Sequence, residues 1–349
     1  MAYEASWIKG AGAGRRDVRA LFTSAGRRIE LMQAFARAAR ALGIRGHWQT
    51  ADIDPCIPAA CLAEKAHVVP PIESREYIPA LLRIARREKI DLVIPLIDND
   101  LLKLAEARER FARVGCGAIV SDPNVVRTCR DKVRMFEFLT RHGLDTPQTW
   151  TGLQALRLKR HRFPYFLKPR TGSASKGNYI VHDLKHLRTL LQVVPEPIVQ
   201  EFVRGVEHTL DVYTGFDGQP RCVVPRQRIE VRGGEVTKAR TVRHPGIIAT
   251  GVRVAQALEH CTGPITIQLI LTPEGRIRIV EVNPRFGGGA PLGIRAGANS
   301  PKWLLAEWLG KKPRIRIDQF QDGLLMLRYH QAFFFNGPPV SQCRRRRTR

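Results

Sequence analysis

The sequence predicts a fold of two kinds in succession, α/β and then α+β: a doubly wound parallel sheet followed by two α+β subdomains. Three observations carry that expectation. Up to about residue 128, apolar strands alternate with amphipathic helices and end in polar residues; from Phe163 onward, closely spaced strands and glycine turns replace the alternation. The 349 residues also exceed a usual single domain, which holds roughly 100 to 200.

Residues 1–17 have no apolar core to a signal and read as a loose leader. A first strand at Ala20–Thr23 is followed by the turn Ser24-Ala25-Gly26, then by Leu31, Phe35, Ala38 and Leu42 at helical spacing. His47–Ala51 is a second strand and ends in Asp52-Ile53-Asp54-Pro55. A helix at about Tyr77–Glu88 and a very apolar strand, Leu92–Ile97, lead to Asp98-Asn99-Asp100. Residues 117–120 supply another strand, and Asp131–His142 a helix that Gly143 and Pro147 end. The parallel-sheet domain is therefore expected over 18–128, with ligands at the carboxyl ends of its strands. Phe163–Val203 reads strand, glycine turn, strand, helix, strand; from Glu207 to Val282 short strands and hairpins dominate. These segments place the α+β domain at 129–315, with a small subdomain at about 150–205, and leave 316–349 as an extension with a basic tail.

Composition narrows the functional classes. Hydrophobic residues make up 44% of the chain and no run approaches a bilayer span. The seven cysteines are scattered, without C-x-x-C or clustered histidines, so neither a disulfide framework nor a zinc site has its spacing, and a reduced cytoplasmic thiol set is expected. A net charge of +25, from 57 Lys plus Arg against 32 Asp plus Glu, raises polyanions as partners. The charge is spread along helices and loops, apart from Arg344–Arg347 and Arg349, and lacks interleaved aromatics. A basic solvated surface, binding nucleic acid weakly and without sequence preference, is the reading that follows.

Three motifs carry chemistry. The first is Phe166-Leu167-Lys168-Pro169-Arg170 running into Thr171-Gly172-Ser173-Ala174-Ser175-Lys176-Gly177. A strand that delivers a lysine beside a turn of small residues suits triphosphate oxygens, and neither the Walker A nor the dinucleotide spacing is present. A flexible hairpin with a surface lysine fits the same residues. The second is Ile198 to Val203 followed by Arg204-Gly205-Val206-Glu207. It offers main-chain groups to an adenine edge and a carboxylate to ribose, while a buried strand closed by a turn is the plainer reading. The third is the strand Ile265–Leu271 bearing Gln268, a turn at Thr272–Gly275, and Ile277–Val282 leading into Glu281-Val282-Asn283-Pro284-Arg285. Alternation puts Glu281 and Asn283 on one face with Gln268 beside them, three hard oxygen donors of the kind Mg²⁺ prefers, and Arg285 stands two residues beyond.

In this order and spacing the motifs resemble the ATP-grasp superfamily, in the branch of carbamoyl-phosphate synthase large-chain halves and the pyrrolysine-pathway ligase. The resemblance implies a pre-ATP-grasp, Rossmann-like sheet before an ATP-grasp fold, and ATP with Mg²⁺ or Mn²⁺ as cofactors. Carried over by position, it implies Lys132 and Lys168 on the ATP phosphates under the loop Gly172, Ser173, Ala174, Ser175, Lys176 and Gly177. Glu201, Phe202 and Val203 would meet adenine and Glu207 ribose. Gln268, Glu281 and Asn283 would hold metal, and Arg285 would act with Lys168 on the reacting phosphoryl group. Two departures stand out: the loop has only two glycines, and Gln268 replaces a carboxylate. The implied activity is an ADP-forming carboxylate-amine or carboxylate-thiol ligase working through an acyl phosphate on small-molecule partners, with room for a homodimer and no membrane. Carboxyphosphate chemistry like that of carbamoyl-phosphate synthase, and a basic nucleic-acid-binding protein with a vestigial ATP site, are the alternatives. Arg226, Arg228, Lys238 and Arg240 around Gly233-Gly234, and Ser24–Arg27 with Asp98, are secondary candidates for substrate contact. They read equally well as solvated strand charges and helix caps.

Overall fold

The computed structural model describes residues 5–8, 14–172 and 176–336. Its first unit is a five-stranded sheet in the order β3-β2-β1-β4-β5. The strands are β1 (Asp17–Thr23), β2 (Arg45–Asp52), β3 (Lys65–Val68), β4 (Leu92–Pro95) and β5 (Gly117–Ala118), and every pairing is parallel. Helix α1 (Ile29–Ala41) packs Leu31, Phe35 and Ala38 onto Phe22 and Trp48. On the other face α2 (Tyr77–Glu88) and α3 (Leu101–Arg113) bring Tyr77, Leu81, Leu104 and Phe111 against Leu21 and Val93. Cover on both faces explains why β4 is buried throughout. The sheet grows outward from β1 in both directions, so its topological switch lies between the carboxyl ends of β1 and β4.

Helices α4 (Pro123–Arg130) and α5 (Lys132–Arg141) lead away from this sheet. They are separated by Asp131, which is extended and accepts from the N–H of Val133 at 3.0 Å, capping α5. A four-stranded sheet, order β6-β9-β7-β8, follows. It comprises β6 (Thr149–Thr151), α6 (Gly152–Leu156), β7 (Tyr165–Pro169), β8 (Tyr179–Val181), α7 (Leu184–Val193) and β9 (Pro197–Glu201). Tyr165, Leu167 and Val199 pack under Leu187 and Leu190 of α7, which leaves the opposite face of β7 to a cleft.

The third sheet has six strands in the order β14-β13-β10-β11-β12-β15. These are β10 (Val206–Thr214), β11 (Pro220–Arg232), β12 (Glu235–Thr241), β13 (Gly263–Leu271), β14 (Ile277–Asn283) and β15 (Leu325–Leu327). Helices α8 (Pro245–Leu258), α9 (Ala290–Arg295) and α10 (Ser300–Trp308) complete the unit. Gly205 joins the two later sheets at φ +156, and a Cβ there would lie 2.3 Å from the Leu271 carbonyl oxygen, so only glycine passes.

The structure corrects the sequence reading in three places. Residues 207–282 are not mainly short strands: β11 has 13 residues, and α8 interrupts them with 14. The β-branched Ile247, Ile248, Val252 and Val254 disguise that helix, and it forms because burial overrides propensity. A Cβ at Gly251 would come within 2.7 Å of Val223, so the glycine seats α8 against β11. The expected loose leader is not loose over Ala5–Ile8: Ala5, Trp7 and Ile8 are buried, and β1 already begins at Asp17. The expected C-terminal extension contributes β15 to the edge of the third sheet. Arg344–Arg347 and the loop residues Ser173, Ala174 and Ser175 lie outside the described residues.

Candidate active site

A cleft of about 1080 Å³ opens between the four-stranded sheet and the third sheet. On the first wall, alternation along β7 turns Phe166 and Lys168 inward. Lys168 is 3% exposed, and among the described residues its ammonium has neither a hydrogen bond nor an ion pair; the ring of Phe166 lies 5.7 Å from it. Burial pulls its pKa down to about 8, the Glu281 carboxylate opposes that fall and Lys132 adds to it. Lys132, at the start of α5, points toward the carbonyls of Arg170 at 3.5 Å and Gly172 at 3.4 Å. Its pKa is lowered by burial and raised in part by Glu281 and Asp98. Asp131 accepts from the Arg170 guanidinium with both carboxylate oxygens, which ties the loop after β7 to α5. Gly172 and Lys176 line the cleft, and Gly177 turns the chain at φ +73.

The facing wall is the β13–β14 hairpin. Gln268 stands opposite Glu281, and Asn283 opposite Thr266. The register shifts by one residue between Gln268 and Leu269, a bulge that leaves Val280 without a partner. Its consequence is a change of parity. Ile279 and Val282 both enter the core, whereas Glu281 and Asn283 emerge together on the cleft side. The three donors are one carboxylate and two amides, and none has a hydrogen-bond or ion-pair partner among the described residues. No cluster of three or more His, Cys, Asp or Glu suited to a metal exists among the described residues. The donor set therefore fits a single hard divalent cation whose remaining ligands come from phosphate and water.

The floor is the linker after β9. Glu201, Phe202, Val203 and Glu207 all line the cleft. The Glu201 N–H is bonded to the Gln148 carbonyl at 2.9 Å, so that N–H is not free to meet a ligand. The Glu201 carboxylate pairs with Arg278 at 2.7 Å, which holds it below the usual carboxylate range, and Arg278 also reaches the Thr146 carbonyl at 2.9 Å. This buried arginine, invisible as a site residue in the sequence, fixes the linker to β14. Glu207 is paired with Arg228 at 3.1 Å.

At the junction with the parallel sheet, a smaller chamber of about 140 Å³ shares Lys132, Gly172 and Glu281 with the cleft and adds Asp98, Asn283 and Pro284. Arg285 lies beside it, gripped by Asp98 through both oxygens at 2.9 and 2.6 Å. The secondary candidates on the third sheet are each engaged. Arg226 is 1% exposed and bidentate to Asp211, Lys238 pairs with Glu230, and Arg240 bonds Gln227.

A small sheet and a large antiparallel sheet clamping a cleft, with a lysine on one and a Glu-x-Asn pair on the other, define the ATP-grasp class. The comparisons agree. Residues 129–289 match an ATP-grasp domain, and residues 20–119 match the PylC-like N-terminal domain. Residues 129–289 thus carry an ATP-grasp domain, with a PylC-like N-terminal domain over residues 20–119 in front. Among curated relatives, 3-methyl-D-ornithine--L-lysine ligase of Methanosarcina acetivorans is 26% identical over 217 residues, 61% of this chain and 54% of that protein. The chain spans about half the length of the curated relatives it matches. Among solved structures, L-amino acid ligase from Bacillus licheniformis superposes with a TM-score of 0.64 at 19% identity, covering 83% of this chain and 74% of the other. The ADP complex of N5-carboxyaminoimidazole ribonucleotide synthetase gives 0.69 at 16% identity, covering 89% and 81%.

Proposed function

We propose that this protein is an ATP-dependent ligase that activates a small carboxylate as an acyl phosphate and passes the acyl group to an amine. The observation that carries the reading is the buried Lys168 ammonium, without a carboxylate partner among the described residues, sharing with Gln268 and Glu281 a cleft large enough for a nucleotide, while Asn283 lines the adjoining chamber beside Glu281. A desolvated, unneutralised ammonium is costly in an isolated protein and is offset when a polyanion enters. Mg-ATP, when bound, supplies the transferable phosphoryl group and the cation that screens its charge; Gln268, Glu281 and Asn283 would hold Mg²⁺ or Mn²⁺. Lys168 and Lys132 neutralise phosphate oxygens. The linker 201–203 orients the purine, and Glu207 takes the ribose after parting from Arg228. Arg285 steadies the reacting group once Asp98 yields it. No protein nucleophile enters, because positioning and charge neutralisation suffice for phosphoryl transfer.

Both substrates are small molecules in this reading, and the basic surface binds polyanions weakly. A homodimer and a cytoplasmic location go with it. No helix among the described residues is long and apolar enough to cross a membrane. The test is ADP formation over a panel of carboxylic acids with hydroxylamine, which traps an acyl phosphate as its hydroxamate. The expected result is hydroxamate with a subset of acids, dependent on Mg²⁺ and abolished in Glu281→Gln. Tight binding of an ATP analogue with no hydroxamate from any acid overturns the acyl-phosphate mechanism.

A further inference from the structure

The turn between β1 and α1 lies at the topological switch of the parallel sheet, and it is built in an unusual way. Ser24 takes a left-handed backbone at φ +50, strain of a kind that concentrates where function requires it. Beneath it Asp100 is fully buried, accepting from Thr23 at 2.7 Å and from Tyr77 at 3.0 Å. Arg28 closes the turn as the residue before α1, where the helix dipole disfavours a positive charge. Its guanidinium lies over Gly288, so close that a Cβ there would meet it at 2.7 Å.

Two more arginines share this corner. Arg328 bonds the Gly288 carbonyl at 2.6 Å and pairs with Glu30 at 2.7 Å, and Arg285 pairs with Asp98. Arg28 alone of the three has no hydrogen bond or ion pair to its side chain among the described residues. The carboxylates near it, Asp98 and Glu235, are already engaged by Arg285 and by Arg27 at 3.4 Å. Burial, then Arg285, lowers its pKa to about 10. An arginine kept for packing would normally be paired. This one is held by the fold against its neighbours, its helix and its own desolvation, a local conflict expected at functional sites.

We propose that Arg28 recognises a carboxylate that does not react, carried by one of the substrates, so that at least one of them is an amino acid or a dicarboxylic acid. The proposal rests on the ligase reading and deepens it. A carboxylate is favoured as the anion because the adjacent Arg285 and Arg328 each hold one within 3 Å, and Arg285 does so through both oxygens. Asp98 lines the small chamber beside Glu281 and Asn283 and also lies in the electrostatic reach of Arg28. The reacting end of a short substrate and its second carboxylate are thereby served from one corner.

The experiment measures binding by calorimetry, with Mg²⁺ and a non-hydrolysable ATP analogue present, for amino acids and dicarboxylic acids beside their matching amides. The same panel is run for ADP release with hydroxylamine or with a fixed amine. In wild-type protein some acid should bind better than its amide. In Arg28→Gln that acid should weaken by about thirtyfold while its amide and the ATP analogue are unchanged. Arg28→Lys should recover part of the loss, which a merely structural role would not produce. Dicarboxylic acids against their monoamides place the second carboxylate on the acyl donor; amino acids against amino-acid amides place it on the amine. An unchanged acid-to-amide ratio in Arg28→Gln, the absence of any such preference in wild type, or a preference confined to phosphorylated analogues overturns the proposal. Arg28-dependent discrimination without ADP release or hydroxamate overturns the ligase reading instead and leaves the carboxylate site standing.

Discussion

At the proposed nucleotide end of the cleft Lys168 is buried with no carboxylate paired to it among the described residues, whereas at the domain junction Arg285 is held by Asp98 at 2.6 Å and Arg328 by Glu30 at 2.7 Å. Both ends are cationic, but only one is left uncompensated by its immediate neighbours. The difference teaches how each would meet its ligand. In the proposed function Lys168 would be set in place before binding and would give up no partner to phosphate, which is electrostatic preorganisation. In the same proposal Arg285 would have to exchange Asp98 for another group, so its engagement would be conditional and its selectivity set by what outcompetes Asp98. Arg28 is an exception at the junction end, resembling Lys168 more than its own neighbours.

Removing the preorganised charge should have the largest effect. Lys168→Ala is expected to weaken binding of an ATP analogue on the order of a hundredfold in calorimetry, with no loss of melting temperature because an uncompensated buried charge disappears. Equal affinity in the variant would show that the two ends do not differ as described. Breaking the conditional partner comes next. Asp98→Asn should leave ATP-analogue affinity intact, change turnover about tenfold, and cost about 1 to 2 kcal/mol of stability as a half-buried pair is lost. A fall in nucleotide affinity would instead couple the two ends. Gly205→Ala tests the link that carries the first wall. Its left-handed backbone and the nearby Leu271 carbonyl predict a loss of about 1 to 3 kcal/mol in denaturant unfolding and a raised KM for ATP.

The smallest effect concerns the support under the switch point. Burial raises the Asp100 pKa from 3.8 to about 6, and its Oδ1 has no hydrogen-bond partner among the described residues. Between those values the folded state binds more protons than the unfolded one, so stability should fall as pH rises from 4 to 6 and level off above. Asp100→Asn should flatten that slope and be neutral or stabilising at pH 7, since an amide still accepts from Thr23 and Tyr77. Parallel pH-stability curves for the two proteins would contradict the assignment.

Much of this architecture could be read from residue order alone. Apolar strands read at Ala20–Thr23 and Leu92–Ile97 and followed by polar turns announced the parallel sheet, seen as Asp17–Thr23 and Leu92–Pro95, and the helix read at Asp131–His142 announced α5. Gln268, Glu281 and Asn283 are close because a tight hairpin makes them so, a local relation that spacing reveals. What escaped was non-local or against propensity. The Asp98–Arg285 grip joins residues 187 apart, and Arg278 reaches Glu201 across 77, distances over which no periodicity carries information. Helix α8 is built from strand-formers. The bulge at Val280 is a matter of register, which sequence alternation alone would have placed on the wrong parity for Ile279.

Ala5 donates its N–H to the Phe216 carbonyl at 2.9 Å, Trp7 donates its indole N–H to the Ala118 carbonyl at 3.1 Å, and the Arg108 guanidinium stacks on the Trp7 ring at 3.9 Å. Ala5 is thus seated against a residue translated far later than itself. At about 5 to 20 residues per second, the wait between Ala5 and Phe216 is roughly 10 to 40 s. In the later part of that interval, once residue 118 is made, the indole has Ala118 to dock on while Ala5 still lacks Phe216. Trp7 emission in a stalled-chain series should change in two stages, first after residue 118 clears the exit tunnel and again after residue 216 does. Docking of Ala5 and Trp7 therefore waits on residues made well after them.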